Sequence, residues 1–195
     1  MKTLIIAASA LDLEQLKKWT SWADRTIASD GGYDHAKAIG HTPDMVVGDQ
    51  DSIRAEIEPE ELYPKEKDFT DLEAALAIAV KDSSEIVILG ATGGRQDHFL
   101  NAIMQLFNYE LPIRLIDSQN EIWIERSSFS FETDFPYFSL LPLDPLNVSI
   151  TGAKYELNQR LVDPYQSLTV SNEPRGRVKV EFEQGRVIVV LSKDV

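Results

Sequence analysis

Lys2-Thr3-Leu4-Ile5-Ile6-Ala7-Ala8 is a continuous apolar run rich in branched side chains, the pattern of a strand covered on both faces in a parallel sheet. Directly after it the period changes. Across residues 12–22, Leu13, Leu16 and Trp19 recur at helical spacing while the charges fall elsewhere. A strand feeding a helix opens a βαβ unit, and the same alternation continues along the chain. Arg25-Thr26-Ile27-Ala28-Ser29 reads as a second strand, residues 33–39 as a helix closed by Gly40, and Met45-Val46-Val47 as a third strand. Further on, alanine-rich helical spacing over residues 72–80 predicts a helix with Asp68 or Thr70 as its N-cap. Glu85-Ile86-Val87-Ile88-Leu89 is another buried strand, followed by a helix over residues 96–107 with Phe99, Ile103, Leu106 and Phe107 on its apolar side. Ile113-Arg114-Leu115-Ile116-Asp117 closes the series.

Beyond that point the helical period does not return. Short strands are expected at 121–125, 129–131, 137–141, 148–150, 168–170, 177–182 and 186–191. Glu183-Gln184-Gly185-Arg186 reads as a hairpin joining the last two, and Asn172-Glu173-Pro174-Arg175-Gly176 as another turn. The fold class is therefore α/β: a mostly parallel N-terminal sheet flanked by helices over residues 1–118, then an all-β, sandwich-like part over 119–195.

Composition removes several function classes. The 195 residues carry a formal charge of −13, so sequence-independent contact with nucleic acid or an anionic membrane is not expected. There is no cysteine, hence no disulfide framework, thiolate site or cysteine nucleophile. Three histidines, His35, His41 and His98, are too scattered for a histidine-based zinc site. No apolar run reaches the roughly 18 residues of a membrane span, and the first strand is too short for a signal-peptide core. A cytoplasmic location is the expectation.

Chemistry-bearing residues gather where predicted strands end. The second strand runs into Asp30-Gly31-Gly32, whose glycines let backbone approach a ligand. The third runs through Gly48 into Asp49-Gln50-Asp51-Ser52. Carboxylates two residues apart on extended backbone point the same way, and their repulsion is relieved by a hard cation such as Mg²⁺. An isolated Asp-x-Asp is as readily a solvated acidic turn capping the next helix. Asp71, in the first turn of its helix, suits the helix dipole in any case, and beside the pair it would complete a magnesium site. The acidic stretch over residues 56–61 reads as a solvated helix end. Gly90-Ala91-Thr92-Gly93-Gly94-Arg95-Gln96-Asp97-His98 lies between strand and helix, where free N–H groups and Arg95 make an anion site. It is neither a Walker A sequence nor a dinucleotide fingerprint. In open parallel sheets ligands bind outside the carboxyl ends of the strands, so Asp30, Asp49 and Asp51 are expected to share one crevice.

Taken together, Ser29-Asp30-Gly31-Gly32, Pro43-Asp44 through Gly48-Asp49-Gln50-Asp51-Ser52, Lys67-Asp68-Phe69-Thr70-Asp71 and Gly90 through His98 resemble the thiamine pyrophosphokinase family in order and spacing. The likeness extends through Thr151-Gly152-Ala153-Lys154-Tyr155-Glu156-Leu157 and Ser171-Asn172-Glu173. The resemblance implies transfer of the pyrophosphoryl group of ATP to the hydroxyl of thiamine, releasing AMP. It implies an α/β catalytic, nucleotide-binding part over 1–118, and over 119–195 a β-sandwich that binds thiamine and dimerises, with the thiamine site between the subunits of a homodimer. Asp49, Asp51 and Asp71 would be the Mg²⁺ carboxylates. Asp30, Gly31, Lys67, Asp68, Thr70, Gly93, Gly94, Arg95 and Asp97 would contact nucleotide or phosphate. Asp71, Asp97 and Arg95 would act in catalysis, with Asp71 ranked ahead of Asp97 as acceptor of the hydroxyl proton. Tyr155 would stack on thiamine, while His98, Ser171 and Asn172 would contact it. Two readings from other classes stand beside this one: a nucleotide-sensing module without transfer, and a metal-dependent phosphohydrolase in which water attacks.

Overall fold

Residues 1–48, 61–62 and 68–194 are described by the structure, a computed structural model, and the chain divides into two compact units, Met1–Ser118 and Gln119–Val195. In the first unit, strands β1 (Lys2–Ile6), β2 (Arg25–Ser29), β3 (Met45–Gly48), β4 (Glu61–Leu62), β5 (Glu85–Leu89) and β6 (Ile113–Ile116) alternate with helices α1 (Leu13–Trp22), α2 (Gly32–Ala38), α3 (Asp71–Ala79) and α4 (Gln96–Gln105). Their order across the sheet is β4-β3-β2-β1-β5-β6, and every pair is parallel. The apolar run that opens the chain is the central strand. Leu4, Ile5 and Ile6 are wholly buried, as both-face coverage of a parallel strand requires.

Local chemistry sets the helix ends. Asp12 caps α1 by accepting from Glu14 N at 2.8 Å. Thr70, not Asp68, caps α3, accepting from Glu73 N through its hydroxyl at 3.2 Å. Leu16 of α1 joins Leu4, Ile6, Val87 and Leu89 in the core, with Trp19 and Trp22 packed against them. At the amino ends of β2 and β3, the Asp44 carboxylate accepts from Thr26 N at 2.7 Å and Thr26 Oγ1 at 2.8 Å, pinning the register of the two strands.

The order reverses at β1. Successive strands step one way from β1 to β3, whereas β5 and β6 lie on its other side. That makes the gap between the β1 and β5 carboxyl ends the switch point where ligands bind in open α/β sheets. Two hydrogen bonds continue the pairing past the strand ends, Ala7 N to Leu89 O and Ser9 N to Gly90 O, both 2.8 Å. Gly90 makes this possible: its φ is +72°, and a Cβ there would fall 2.4 Å from Ala7 O.

In the second unit, strands β7 (Asn120–Glu125), β8 (Phe129–Phe131), β9 (Tyr137–Pro142), β10 (Leu146–Ala153), β11 (Leu157–Val162), β12 (Pro174–Glu181) and β13 (Val187–Ser192) form two antiparallel sheets, β7-β13-β9 and β11-β10-β12-β8. One core unites them. Phe138, Val189 and Leu191 from the first pack with Ile150, Val178 and Val180 from the second, the arrangement of a sandwich.

Three expectations for this unit are overturned. β12 and β13 are not a hairpin, because β12 pairs with β10 and β8 while β13 pairs with β7 and β9; the intervening turn carries the chain from one sheet to the other. Residues 168–170 are not a strand. Thr169 does bond to β9, accepting from Leu140 N at 2.9 Å, but a turn from Ser167 O to Val170 N and the φ of +56° at Ser171 stop a ladder from forming. Pro174 and Gly176 lie within β12, not in a turn. Two strands of the chain were not expected: β4 in the first unit, whose Glu61 ends the stretch read as a solvated helix end, and β11, whose middle residues Asn158, Gln159 and Arg160 are exposed and whose Gln159 has φ +47°. No helix among the described residues is long and apolar enough to cross a membrane.

Two stability measurements follow from the first unit. Gly90→Ala combines a left-handed φ with a backbone clash, and urea unfolding should show a loss of roughly 2–5 kcal/mol. For Asp44, burial pushes the carboxyl up, but the hydrogen bonds from Thr26 and from its own N–H outweigh that and hold its pKa below the usual value. A depressed folded pKa stabilises above the unfolded value and loses that effect as pH falls. Asp44→Asn should therefore cost on the order of 1 kcal/mol at pH 7. The difference from wild type should shrink as unfolding is measured from about pH 4 downward.

Candidate active site at the sheet switch point

Three strand ends and two helix starts bound one crevice of about 240 Å³ in the first unit. β1 contributes Ala7, Ala8 and Ser9; β2 contributes Ser29 and Asp30; the turn after β5 contributes Gly90 and Ala91. Thr70 and Asp71 come from the amino end of α3, and His98 and Asn101 from one face of α4. The second unit holds a wider hollow of about 450 Å³ beside Gln159, Glu181 and Glu183. That hollow has neither a glycine-rich turn nor a helix N-terminus, so size alone does not identify the site.

Asp30 is the most constrained residue of the crevice. Its φ is +55°, a left-handed conformation costly to residues other than glycine and tolerated best by Asn and Asp. Its N–H donates to Val47 O at 2.8 Å, tying the turn after β2 to β3. One carboxylate oxygen, Oδ1, is buried without a hydrogen-bond partner among the described residues. Burying such a group unsatisfied is unfavourable, and a site that retains one is a site for something else to complete it. At Gly48 the two acidic segments meet: a Cβ there would lie 3.4 Å from Asp30 Cα and 3.9 Å from Asp71 Oδ1.

The glycine-rich turn lies beyond Gly90. Gly93 and Gly94 both have left-handed φ, +75° and +62°, and a Cβ on Gly94 would come 3.6 Å from Ser9 Oγ, which brings the turn close to the Ser9 wall. Arg95 precedes α4 and forms a two-pronged pair with Asp97, Nε to Oδ1 at 3.1 Å and Nη2 to Oδ2 at 2.5 Å. Both side chains are mostly exposed. The Arg95 hydrogen bonds, aided by His98 N, hold the Asp97 carboxyl below its usual range despite an opposing desolvation effect. The same contact raises the guanidinium pKa.

Of the residues expected in the site, Asp30, Thr70, Asp71 and His98 line the crevice together. Gly31 caps α2 beside Ala8; Asp68 is exposed; Gly93, Gly94, Arg95 and Asp97 form the exposed turn and helix start just described. Asp49, Asp51 and Lys67 lie outside the described residues. Among the described residues no cluster of three or more potential metal ligands occurs. In the second unit, Tyr155, Ser171 and Asn172 are neighbours: Tyr155 N donates to Asn172 Oδ1 at 3.0 Å, and Ser171 N to Ser139 Oγ at 3.0 Å. Ser9, Ser29, Phe69 and Asn101 also line the crevice without having been singled out. Asn101 had a readable signal, since it sits three residues after His98 on one helix. Ser9 had only its distance from the first strand.

The architecture defines an α/β protein with an acidic ligand crevice at the switch point of an open parallel sheet, joined to a β-sandwich. Two family descriptions match it, "Thiamin pyrophosphokinase, catalytic domain" over residues 16–116 and "Thiamin pyrophosphokinase, vitamin B1 binding domain" over residues 124–187. The chain belongs to the thiamine pyrophosphokinase family. It is 34% identical to the thiamine pyrophosphokinase of Bacillus subtilis, with both proteins covered completely. The crystal structure of a Bacillus subtilis thiamine pyrophosphokinase superposes with a TM-score of 0.89 at 31% identity, again covering all of both chains. That of a thiamin pyrophosphokinase from Geobacillus thermodenitrificans gives 0.88 at 27% identity, covering 100% of this chain and 98% of the other.

Asp30→Gly separates stability from function. Relief of the left-handed strain and of the unpartnered oxygen should leave thermal unfolding unchanged or stabilise the protein by about 1 kcal/mol. Transfer activity should fall by about a hundredfold or more. A variant that is less stable and fully active would refute this assignment.

Proposed function

We propose that this protein transfers the pyrophosphoryl group of ATP to the hydroxyl of thiamine, giving thiamine diphosphate and AMP, with the reacting phosphates held in the crevice between β1 and β5. The observation that carries this reading is that Asp30 and Asp71, which meet beside Gly48, both line the crevice that opens at the switch point. ATP enters an acidic protein only against local countercharge. Arg95 and the N–H groups of the glycine-rich turn are suited to supply it. In the reaction the thiamine oxygen bonds to the β-phosphorus as the α,β-bridging P–O bond breaks, and the bridging oxygen leaves with AMP. The hydroxyl proton goes to a carboxylate. Asp71 ranks ahead of Asp97 in that role, because a carboxylate on the metal side lies near both reacting oxygens.

The donor set fits Mg²⁺. Carboxylate oxygens are the hard ligands this ion selects, and Asp30 supplies a buried oxygen with no partner among the described residues. Asp49, Asp51 and Asp71 would hold the ion, which when bound neutralises phosphate charge. Around it, Asp30, Gly31, Lys67, Asp68, Thr70, Gly93 and Gly94 contact nucleotide or phosphate. Tyr155 of the second unit, 57% exposed, offers its ring to thiamine, with Ser171 and, from the first unit, His98 as further contacts, and Asn172 beside Tyr155. The thiamine site lies between the subunits of a homodimer, each chain supplying a catalytic part over 1–118 and a thiamine-binding part over 119–195. The enzyme works in the cytoplasm, where ATP is made available.

The test is AMP release from ATP, measured with and without thiamine. AMP should appear only when thiamine is present. Turnover undiminished without thiamine would mean a phosphohydrolase, and nucleotide binding with no AMP a sensor. Asp71→Ala and Asp49→Ala should each abolish release while leaving the unfolding midpoint near wild type, and chelation should stop the reaction until Mg²⁺ is restored. Activity that survives both treatments removes these carboxylates from an ion site.

A further inference from the structure

Asn172 is a buried polar residue, 3% exposed, at the end of the turn that leads into β12. Its carboxamide is committed to backbone. Oδ1 accepts from Tyr155 N at 3.0 Å and from Glu173 N at 2.9 Å, and Nδ2 donates to Tyr155 O at 2.8 Å. The main chain of Asn172 is fixed in turn, exchanging two hydrogen bonds of 2.8 Å with Phe138 of β9. Phe138 is completely buried in the sandwich core. A single side chain thus holds both peptide groups of Tyr155 and fastens them to the core of the unit.

The neighbouring contacts have the same effect. Lys154 N donates to Glu173 O at 2.8 Å, and Lys154 Nζ pairs with Glu173 Oε1 at 2.5 Å. Tyr155 sits seventeen residues from Asn172 in sequence, in a turn whose ring is more than half exposed. These bonds add to that of Gly152 N with Glu156 Oε1 at 2.8 Å in holding the turn between β10 and β11. A stacking surface gains affinity only if its orientation is settled before the ligand arrives. We infer that Asn172 is a positioning residue, setting the Tyr155 ring for thiamine through the backbone instead of touching thiamine itself. The inference rests on the proposed role of Tyr155 as the stacking surface. It also explains the residue type: the turn needs an acceptor for two N–H groups and a donor for one carbonyl, which Asn provides and Asp does not.

The experiment is a double-mutant cycle read by steady-state kinetics. Asn172→Asp keeps the size and the acceptor but loses the donation to Tyr155 O. It should raise KM for thiamine on the order of tenfold, more than it lowers kcat, with KM for ATP changed by less than about twofold. In a Tyr155→Ala background the same substitution should change KM for thiamine by less than about twofold, because the ring it orients is gone. Effects that multiply in the double variant would mean that Asn172 contacts thiamine directly, and would overturn the inference, as would an Asn172→Asp protein with wild-type KM. If Tyr155→Ala alone leaves KM for thiamine unaltered, the stacking role fails first and the positioning role fails with it. Should Asn172→Asp unfold, Asn172→Ser, which retains a smaller acceptor, is carried through the same cycle.

Discussion

The parallel pairing of β1 with β2 on one side and β5 on the other governs this protein. Ile5 is registered against Ile27 and Ile88, so three strands run in the same direction and release their following loops at a single edge. Helical crossovers then have no choice but to begin there. Every acidic or glycine-rich turn described in the first unit follows from that geometry. The pairing reaches past the strands through Ala7 and Ser9, closing the crevice floor with backbone and leaving side chains to come from its walls. Negative charge is concentrated at the same edge in a protein already carrying −13.

The first unit was legible because each of its signals is local. A fully apolar run marks a strand buried on both faces, a capping residue marks the next helix, and the parallel direction follows from the alternation of the two. Topology grouped Asp30 with Asp49 and Asp51; Asp30 does line the crevice, beside Asp71 and His98, while Asp49 and Asp51 lie outside the described residues. The second unit was less legible for a physical reason. Antiparallel strands of similar pattern can pair with several partners, and the turn at residues 183–186 looks the same whether it closes a hairpin or passes between sheets. β11 escaped because its exposed face carries Asn158, Gln159 and Arg160, which suppress the apolar alternation. Asn172 shows the limit most clearly: its sequence neighbours suggest an ordinary turn, and its partner Tyr155 becomes visible only when the sandwich closes.

Arg95 and Asp97, on the exposed turn and helix start after β5, form a matched pair of charges. The guanidinium is already matched by a carboxylate two residues away, so an anion would have to displace that pairing to engage it. The net attraction is smaller than that of a bare arginine.

The position of β13 has a bearing on how the protein is made. It is the last strand in the chain, yet it lies between β7 and β9 and pairs with both. As a ribosome extends the polypeptide, the first unit can close while the sandwich still lacks its keystone. Synthesis therefore yields an α/β half able to mature early and a β half that must wait for the final segment, its inner apolar face meanwhile in need of protection.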